Sequence, residues 1–298
     1  MIIAYDVGTT GIKTCIFDIS DTIKLVASEM EGYELFVLEN GGAEQDPDSW
    51  WNAMCVTTER VLRKNNISAD SIQGISFCSQ MQGLVLVDEK GNALRRPMSY
   101  MDQRAVSEMK ESLGHGLAIS GVNIVKLLKS LITTHAAPTS VKDPIWKYKW
   151  VQRNEPEIFS RVYKWLDVKE YLICRCTDQF VMTKDSAFAT FLYDTRPGKW
   201  LWSQSLCEMY GVDPKHLPRV IDCSDQAGVL TEKAADELGL MPGIPVYGGG
   251  GDATLIGIGA GCVEPGDTHI YCGTSGWVGT VIDKQLVDIF AKIAAIIG

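Results

Sequence analysis

The sequence lacks a basic excess. Lysine and arginine total 28 against 37 acidic residues, a net charge of −9 with the four histidines neutral. Nucleic-acid binding needs a basic footprint, so that class is excluded. The sequence also lacks a long apolar run. None reaches the roughly 18 residues of a membrane span, and no membrane partner is expected. No GxxxxGK[ST] occurs, which excludes a P-loop. Histidine is scarce and scattered, at 115, 135, 216 and 269, and forms no metal cluster in the sequence. Cysteine is not scarce. The nine residues, at 15, 55, 78, 174, 176, 207, 223, 262 and 272, include no CxxC and no paired zinc spacing. Reduced core thiols in a cytoplasmic protein are the expectation. The N-terminus enters a strand at once without a basic leader, so no signal peptide is expected. What remains is 298 residues, 46% hydrophobic and 22% charged, enough for two domains with substantial cores.

The stretch that organises the chain is Tyr5 to Asp18, YDVGTTGIKTCIFD. An apolar run leads into Asp6, followed by the turn Gly8-Thr9-Thr10-Gly11. Ile12, Thr14 and Ile16 then alternate with Lys13, Cys15 and Phe17. Period-two alternation across a glycine turn predicts a β-hairpin. Its tip suits a phosphate. Glycine allows close approach of backbone amides, threonine hydroxyls add donors, and Lys13 adds a point charge. Asp6 cannot face phosphate without repulsion, so its natural use is through a divalent cation, Mg²⁺. An ordinary hairpin with a polar tip is the plain alternative.

Further strands are predicted at Ile23–Glu29, Tyr33–Val37, Ile72–Cys78 and Gly83–Val87. A helix is predicted from Pro47, with Asp46 as its cap and one apolar face through Trp51, Thr58 and Leu62. Strand clusters followed by a helix and more strand predict an α/β domain. Later helices are predicted near Val122–Leu131, from Glu155-Pro156, over Val168–Cys176 and over Glu232–Leu238. Thr231 caps the last of these and Gly239 closes it. The run Val287–Ile297 reads as an apolar helix start. Tryptophans 165, 200 and 202 read as core.

Polar residues gather at the end of one buried strand, Ser79-Gln80-Met81-Gln82-Gly83. Asp102, Gln103 and Arg104 form a set able to hold a polyol, with a solvated salt pair at a helix start as the alternative. A third stretch, PVYGGGGDATLIGIGAG from Pro245, places Asp252 after four glycines. Such an acid fits a general base on a substrate hydroxyl, or a glycine hinge with Asp252 as helix cap. A fourth, IYCGTSGWVGTV from Ile270, repeats the chemistry of the first hairpin through Gly273, Thr274, Ser275 and Gly276. Two such hairpins facing each other would grip the several phosphates of ATP from opposite sides.

These motifs, in this order and spacing, resemble the FGGY family of carbohydrate kinases, within the actin/hexokinase superfamily. The resemblance covers essentially the whole chain. It implies an α/β fold of the actin-like, ribonuclease H-like ATPase type: a complete N-terminal, sugar-binding lobe over 1–246 and the start of a similar nucleotide-binding lobe over 247–298. Family members are much longer, and the adenine site lies in the part absent here. The implied activity is transfer of the ATP γ-phosphoryl group to a sugar or polyol hydroxyl, most nearly that of a ketopentose such as xylulose. The implied catalytic base is Asp252, and the implied Mg²⁺ residue is Asp6. Gly8, Thr9, Thr10, Lys13, Gly273, Thr274 and Ser275 would hold phosphate. Gln80, Met81, Gln82, Asp102, Gln103 and Arg104 would hold the sugar. Two positions depart from xylulokinases, which carry Met-His at Met81-Gln82 and Trp-Asn-Asp at Tyr100-Met101-Asp102. The expected partners are the sugar or polyol, ATP and ADP, and a second copy in a homodimer. An actin-like or heat-shock-type ATPase and a non-catalytic sugar-binding fragment are the rivals. The 298 residues alone are expected to turn over little or not at all.

Overall fold

A computed structural model describes residues 1–114, 118–119, 122–272, 276–288 and 293–295. The hairpin forms as the alternation requires. Strand β1 (Ile2–Val7) buries Ile3, Tyr5 and Val7, and β2 (Gly11–Asp18) buries Ile12, Thr14 and Ile16. They pair antiparallel with Asp6 opposite Lys13. Strand β3 (Lys24–Gly32) continues the meander against β2.

Helix α1 (Pro47–Lys64) starts where an aspartate and a proline dictate. Asp46 accepts the Asp48 N–H at 3.0 Å, and Pro47 occupies the first helical position, where its missing N–H costs nothing. Its buried face carries Trp50, Trp51, Met54, Val61 and Leu62. Two buried threonines tie it to the sheet, Thr57 to Thr14 at 2.6 Å and Thr58 to the Tyr5 hydroxyl at 2.8 Å.

Strand β4 (Gly74–Ser79) lies parallel to β1, in the register Asp6 opposite Cys78. Helix α2 (Val168–Thr177) is buried almost throughout and joins the core that contains β1, β4 and α1. A short helix α3 (Lys184–Ala189) follows. Strands β5 (Gln226–Val229) and β6 (Pro245–Tyr247) complete one side of the sheet. The sheet's order is β5-β6-β4-β1-β2-β3, with a seventh short strand, β7 (Gly250–Gly251), also paired to β4. Through β7 this sheet extends to residue 251. Helix α4 (Asp252–Gly259) leaves from β7. A second core gathers Leu84, Met98, Trp146, Tyr148, Trp165 and Leu206.

Strands β1, β4, β6 and β7 are parallel neighbours. Their C-terminal ends therefore open on one edge, where open α/β sheets place ligands. The glycine run makes this possible. Gly249 has φ +65°, and a Cβ there would lie 2.0 Å from the Phe77 carbonyl oxygen. Gly249→Ala is expected to cost at least about 1–2 kcal/mol from the left-handed backbone alone, before the collision is counted. A urea denaturation midpoint no lower than that of the wild type would contradict this account.

Three expectations need correction. The run from Val287 does not continue as a helix in its described residues, because Val287–Asp288 and Ile293–Ala294 pair as antiparallel strands. Apolar runs without clear periodicity do not separate strand from helix. Trp200 is 42% exposed and not core, whereas Trp165 is buried. The helix Pro144–Asn154 lies where no element is predicted; it buries Ile145, Trp146, Lys147, Tyr148 and Val151.

Candidate active site

At the open edge of the sheet, Asp6, Cys78 and Gly250 stand side by side on three adjacent parallel strands. Asp252 follows two residues later as the first residue of α4; the cap position before it is Gly251. The strand register thus brings the two carboxylates expected to act, 246 positions apart, to one edge. Both are half-buried. Asp252 accepts its neighbour Ala253's N–H at 2.7 Å. Burial pushes the Asp252 carboxyl above the ordinary range, and the charge of Asp6 adds to the shift. Burial likewise raises the Cys78 thiol, reinforced by Asp6 and Asp252, so it stays protonated.

The hairpin tip is tied down through its carbonyls. Gly8 N–H closes the turn on Gly11 O at 2.9 Å. The Tyr33 hydroxyl donates to Gly8 O at 2.6 Å and to Gly11 O at 3.1 Å, and Tyr33 N–H donates to Thr10 O at 3.1 Å. Gln45 donates to Thr9 O at 2.7 Å. Gln80 donates to Gly8 O at 3.1 Å and to Gln45 Oε1 at 2.9 Å. Four consecutive carbonyls are occupied by protein donors. Thr10 and Lys13 are exposed, and Thr9 reaches the Tyr100 hydroxyl at 3.4 Å.

Beside Asp252 lies a cavity of about 290 Å³. Gln80, Met81 and Gln82 line one side, Tyr100 another, and Phe188, Phe191 and Trp277 supply apolar walls. Gln80 is 4% exposed, and its Oε1 has no protein partner among the described residues. Met81 presses on the glycine run; a Cβ on Gly251 would lie 1.8 Å from its sulfur.

The N-terminal-domain profile of the FGGY family of carbohydrate kinases matches residues 1–259. The chain belongs to the FGGY family of carbohydrate kinases. It is 27% identical over 278 residues to a xylulose kinase of Staphylococcus xylosus, covering 92% of this chain and 54% of that protein. It is 26% identical over 291 residues to a gluconokinase of Bacillus subtilis, covering 97% and 53% respectively. Among solved structures, the ligand-bound xylulose kinase of Lactobacillus acidophilus superposes with a TM-score of 0.84 at 26% identity, over 97% of this chain and 56% of that one. The chain therefore spans about half the length of the relatives it matches. The fold is the mixed α/β, actin-like N-terminal lobe of FGGY kinases.

Within that FGGY lobe the site residues expected from the sequence separate into three groups. Asp6, Gly8, Thr9, Gln80, Met81, Gln82 and Asp252 converge on the open edge or the cavity, with Thr10 and Lys13 exposed on the same hairpin. Asp102, Gln103 and Arg104 do not line the cavity. Asp102 is fully buried; it accepts Ala43 N–H at 2.9 Å and the Arg104 guanidinium at 2.7–3.2 Å. Arg104 also donates to Glu44 at 2.7 Å and lies 4.6 Å over the Trp150 ring. Both Asp102 oxygens and the Nε and Nη2 of Arg104 are bonded within the protein, and the pair braces residues 41–45. It is not a solvated pair. Gln103 is exposed, its N–H bound to Gly41 O. Gly273, Thr274 and Ser275 lie outside the described residues. The strands that flank them, Thr268–Cys272 and Gly276–Thr280, do pair as an antiparallel hairpin. No helix among the described residues is long and apolar enough to cross a membrane.

Two buried supports were missed. Asp167 accepts the N–H groups of Gln82 and Gly83 at 2.8 and 2.9 Å, and Lys147 donates to Gln82 O at 2.7 Å. Together they hold Gln82 in its left-handed conformation, φ 63°. Burial pulls Lys147 down to about 8, against the opposing effect of Asp102 and Asp167. The second support is Asp185, which accepts Gly251 N–H at 2.7 Å, Ser186 N–H at 2.8 Å and the Thr183 hydroxyl. Lys169, fully buried, binds Glu170 at 2.5 Å, Thr183 at 2.6 Å and the Ser186 hydroxyl, and lies 3.5 Å from Asp185. The Asp46-style signal of a capping acid beside a helix start was present at Asp167, before Val168. The Lys169–Asp185 pairing had no local signal.

Proposed function

We propose that this chain forms the sugar-side lobe and one phosphate-facing hairpin of a kinase. The kinase transfers the ATP γ-phosphoryl group to a hydroxyl of an uncharged sugar or polyol, a ketopentose such as xylulose being the nearest. The observation that carries this is the placement of Asp252 at both the cavity wall and the sheet edge near Asp6, the residue before the last of β1.

Asp252 takes the proton of the substrate hydroxyl. Burial and the charge of Asp6 raise its pKa, a shift in the direction that favours a general base. Gln80 and Gln82 orient hydroxyls, and the rings of Phe188 and Phe191 cover the hydrocarbon side. The tied carbonyls of residues 8–11 and the Gly8 N–H spent on Gly11 O leave the N–H groups and hydroxyls of Thr9 and Thr10 as what the turn can offer an anion. Positioning and electrostatics of this kind dominate phosphoryl transfer.

Two half-buried carboxylates at one sheet edge, Asp6 raising the pKa of Asp252, fit a divalent cation, and Mg²⁺ asks for only one or two carboxylates beside water and phosphate oxygens. Asp6 would hold it, directly or through water. When bound, the ion neutralises charge on the phosphates. Residues 247–298 are proposed to begin the nucleotide lobe. The chain spans about half the length of its relatives; the adenine side is proposed to belong to the remainder, so the 298 residues alone should bind sugar with little turnover.

The test has two parts. Calorimetry on this chain with xylulose, xylitol and gluconate reads the sugar site directly. ADP release with the same compounds, by protein of full kinase length, reads the reaction. Sugar-stimulated ADP release is expected. ATP hydrolysis indifferent to every compound would replace the kinase reading with that of an ATPase switch.

A further inference from the structure

Six non-glycine residues among those described have a left-handed backbone. Asn66, His135 and Asp178 are polar and sit at helix ends, and Trp200 lies 42% exposed away from the cavity. The other two, Gln82 and Phe191, line the same cavity. Gln82 has the Asp167–Lys147 clamp to hold it. Phe191, at φ 64°, closes the turn after α3, its N–H bonded to Phe188 O at 3.0 Å. After the helices Gln204–Tyr210 and Glu232–Leu238 the left-handed closing residue is a glycine, Gly211 and Gly239. Glycine is the low-strain choice there, because a Cβ crowds the following carbonyl oxygen. Strain of this sort persists where a site holds it in place.

The cavity also has a charge signature. Its carboxylates are Asp185 and Asp252, and no lysine or arginine is among its described lining residues. A substrate carboxylate entering it would meet like charge in a partly desolvated space.

We propose that Phe191 is a specificity-determining residue. With Phe188 it forms the apolar wall against which the C–H edge of an uncharged ketose or polyol lies, its hydroxyl side toward Asp252, and the cavity rejects aldonates. The proposal deepens the sugar-kinase reading and rests on it. The strained backbone is what directs a large ring to this wall at a position where a glycine would otherwise sit.

Two substitutions separate the ring from the strain. Phe191→Ala and Phe191→Gly both remove the ring, but only the glycine relieves the backbone. Calorimetry on this chain should show xylulose affinity lowered by about tenfold in both, the loss of one good aromatic contact. Urea denaturation should place Phe191→Gly clearly above Phe191→Ala. Wild-type protein should bind xylulose more tightly than gluconate. Recovery of xylulose affinity in Phe191→Gly alongside stability would make Phe191 structural and overturn the proposal. So would wild-type affinity in both variants, with the sugar-kinase reading left intact. Tighter binding of gluconate than xylulose would overturn the charge assignment. Binding of neither compound nor xylitol by the wild type would remove the sugar reading itself, and this proposal with it.

Discussion

Asp252→Asn in protein of full kinase length is expected to lower kcat by about 10²–10⁴-fold, the usual contribution of a general base. Sugar affinity measured by calorimetry should change little, because the amide keeps the shape of the carboxyl and the cavity's other walls are untouched. The pH profile gives an independent check. A base works only when ionised, so kcat/KM of the wild type should fall as pH drops through the Asp252 pKa. Burial and the Asp6 charge raise that pKa, so the acid limb should lie above the ordinary aspartate value of 3.8. Asp6→Asn removes the neighbouring charge and should move the limb toward lower pH, whatever it does to the rate. A limb unmoved by Asp6→Asn, or near-normal turnover by Asp252→Asn, would be incompatible with the assignment.

The second large effect is on the fold. Lys169→Met is expected to destabilise this chain by about 3–5 kcal/mol in urea denaturation, the cost of breaking a buried ion pair by removing one partner. It would leave the Glu170 and Asp185 side chains at 0% and 1% exposure without their cation. Burial by itself would lower the Lys169 pKa; the carboxylates of Asp185 and Glu170 more than reverse that. Burial would raise Asp185, yet Lys169 with the Thr183 and Gly251 hydrogen bonds holds it below the usual range. The sign of the pH dependence follows. A depressed carboxylate contributes stability above its unfolded pKa of 3.8 and loses it as pH falls through the folded value. Without Lys169 that contribution disappears. The gap between variant and wild type should therefore be wide near neutral pH and narrow in acid, as the carboxylates take up protons. A gap constant with pH would mean that packing, not charge, is what Lys169 supplies.

Much of the site was legible from local pattern. The alternation of Ile12, Thr14 and Ile16 with Lys13, Cys15 and Phe17 specifies a hairpin and its buried face. Asp46-Pro47 specifies where α1 starts, and Thr231 with Gly239 brackets a helix at both ends. These signals are readable because cap, turn and strand preferences act within a few residues. Asp102 and Arg104 show where such reading fails. Their residue types fit a sugar as well as they fit Glu44 and Trp150, and the contacts seen are with partners 60 and 46 positions from Arg104. Phe191 was invisible for a related reason. In FATFLYDT nothing marks one aromatic as left-handed, since that conformation is imposed by the turn after α3.

By itself the chain's order of residues determined the hairpins, the glycine run before Asp252 and the absence of a basic surface, because composition and short-range stereochemistry carry those features. Only the tertiary structure decided that Asp6 and Asp252 share one edge, that Asp167 and Asp185 anchor the loops around the cavity, and that Arg104 turns away from it. Each of these depends on the parallel register of β1, β4 and β7 and on burial among distant partners. Neither is encoded in any window of neighbouring residues.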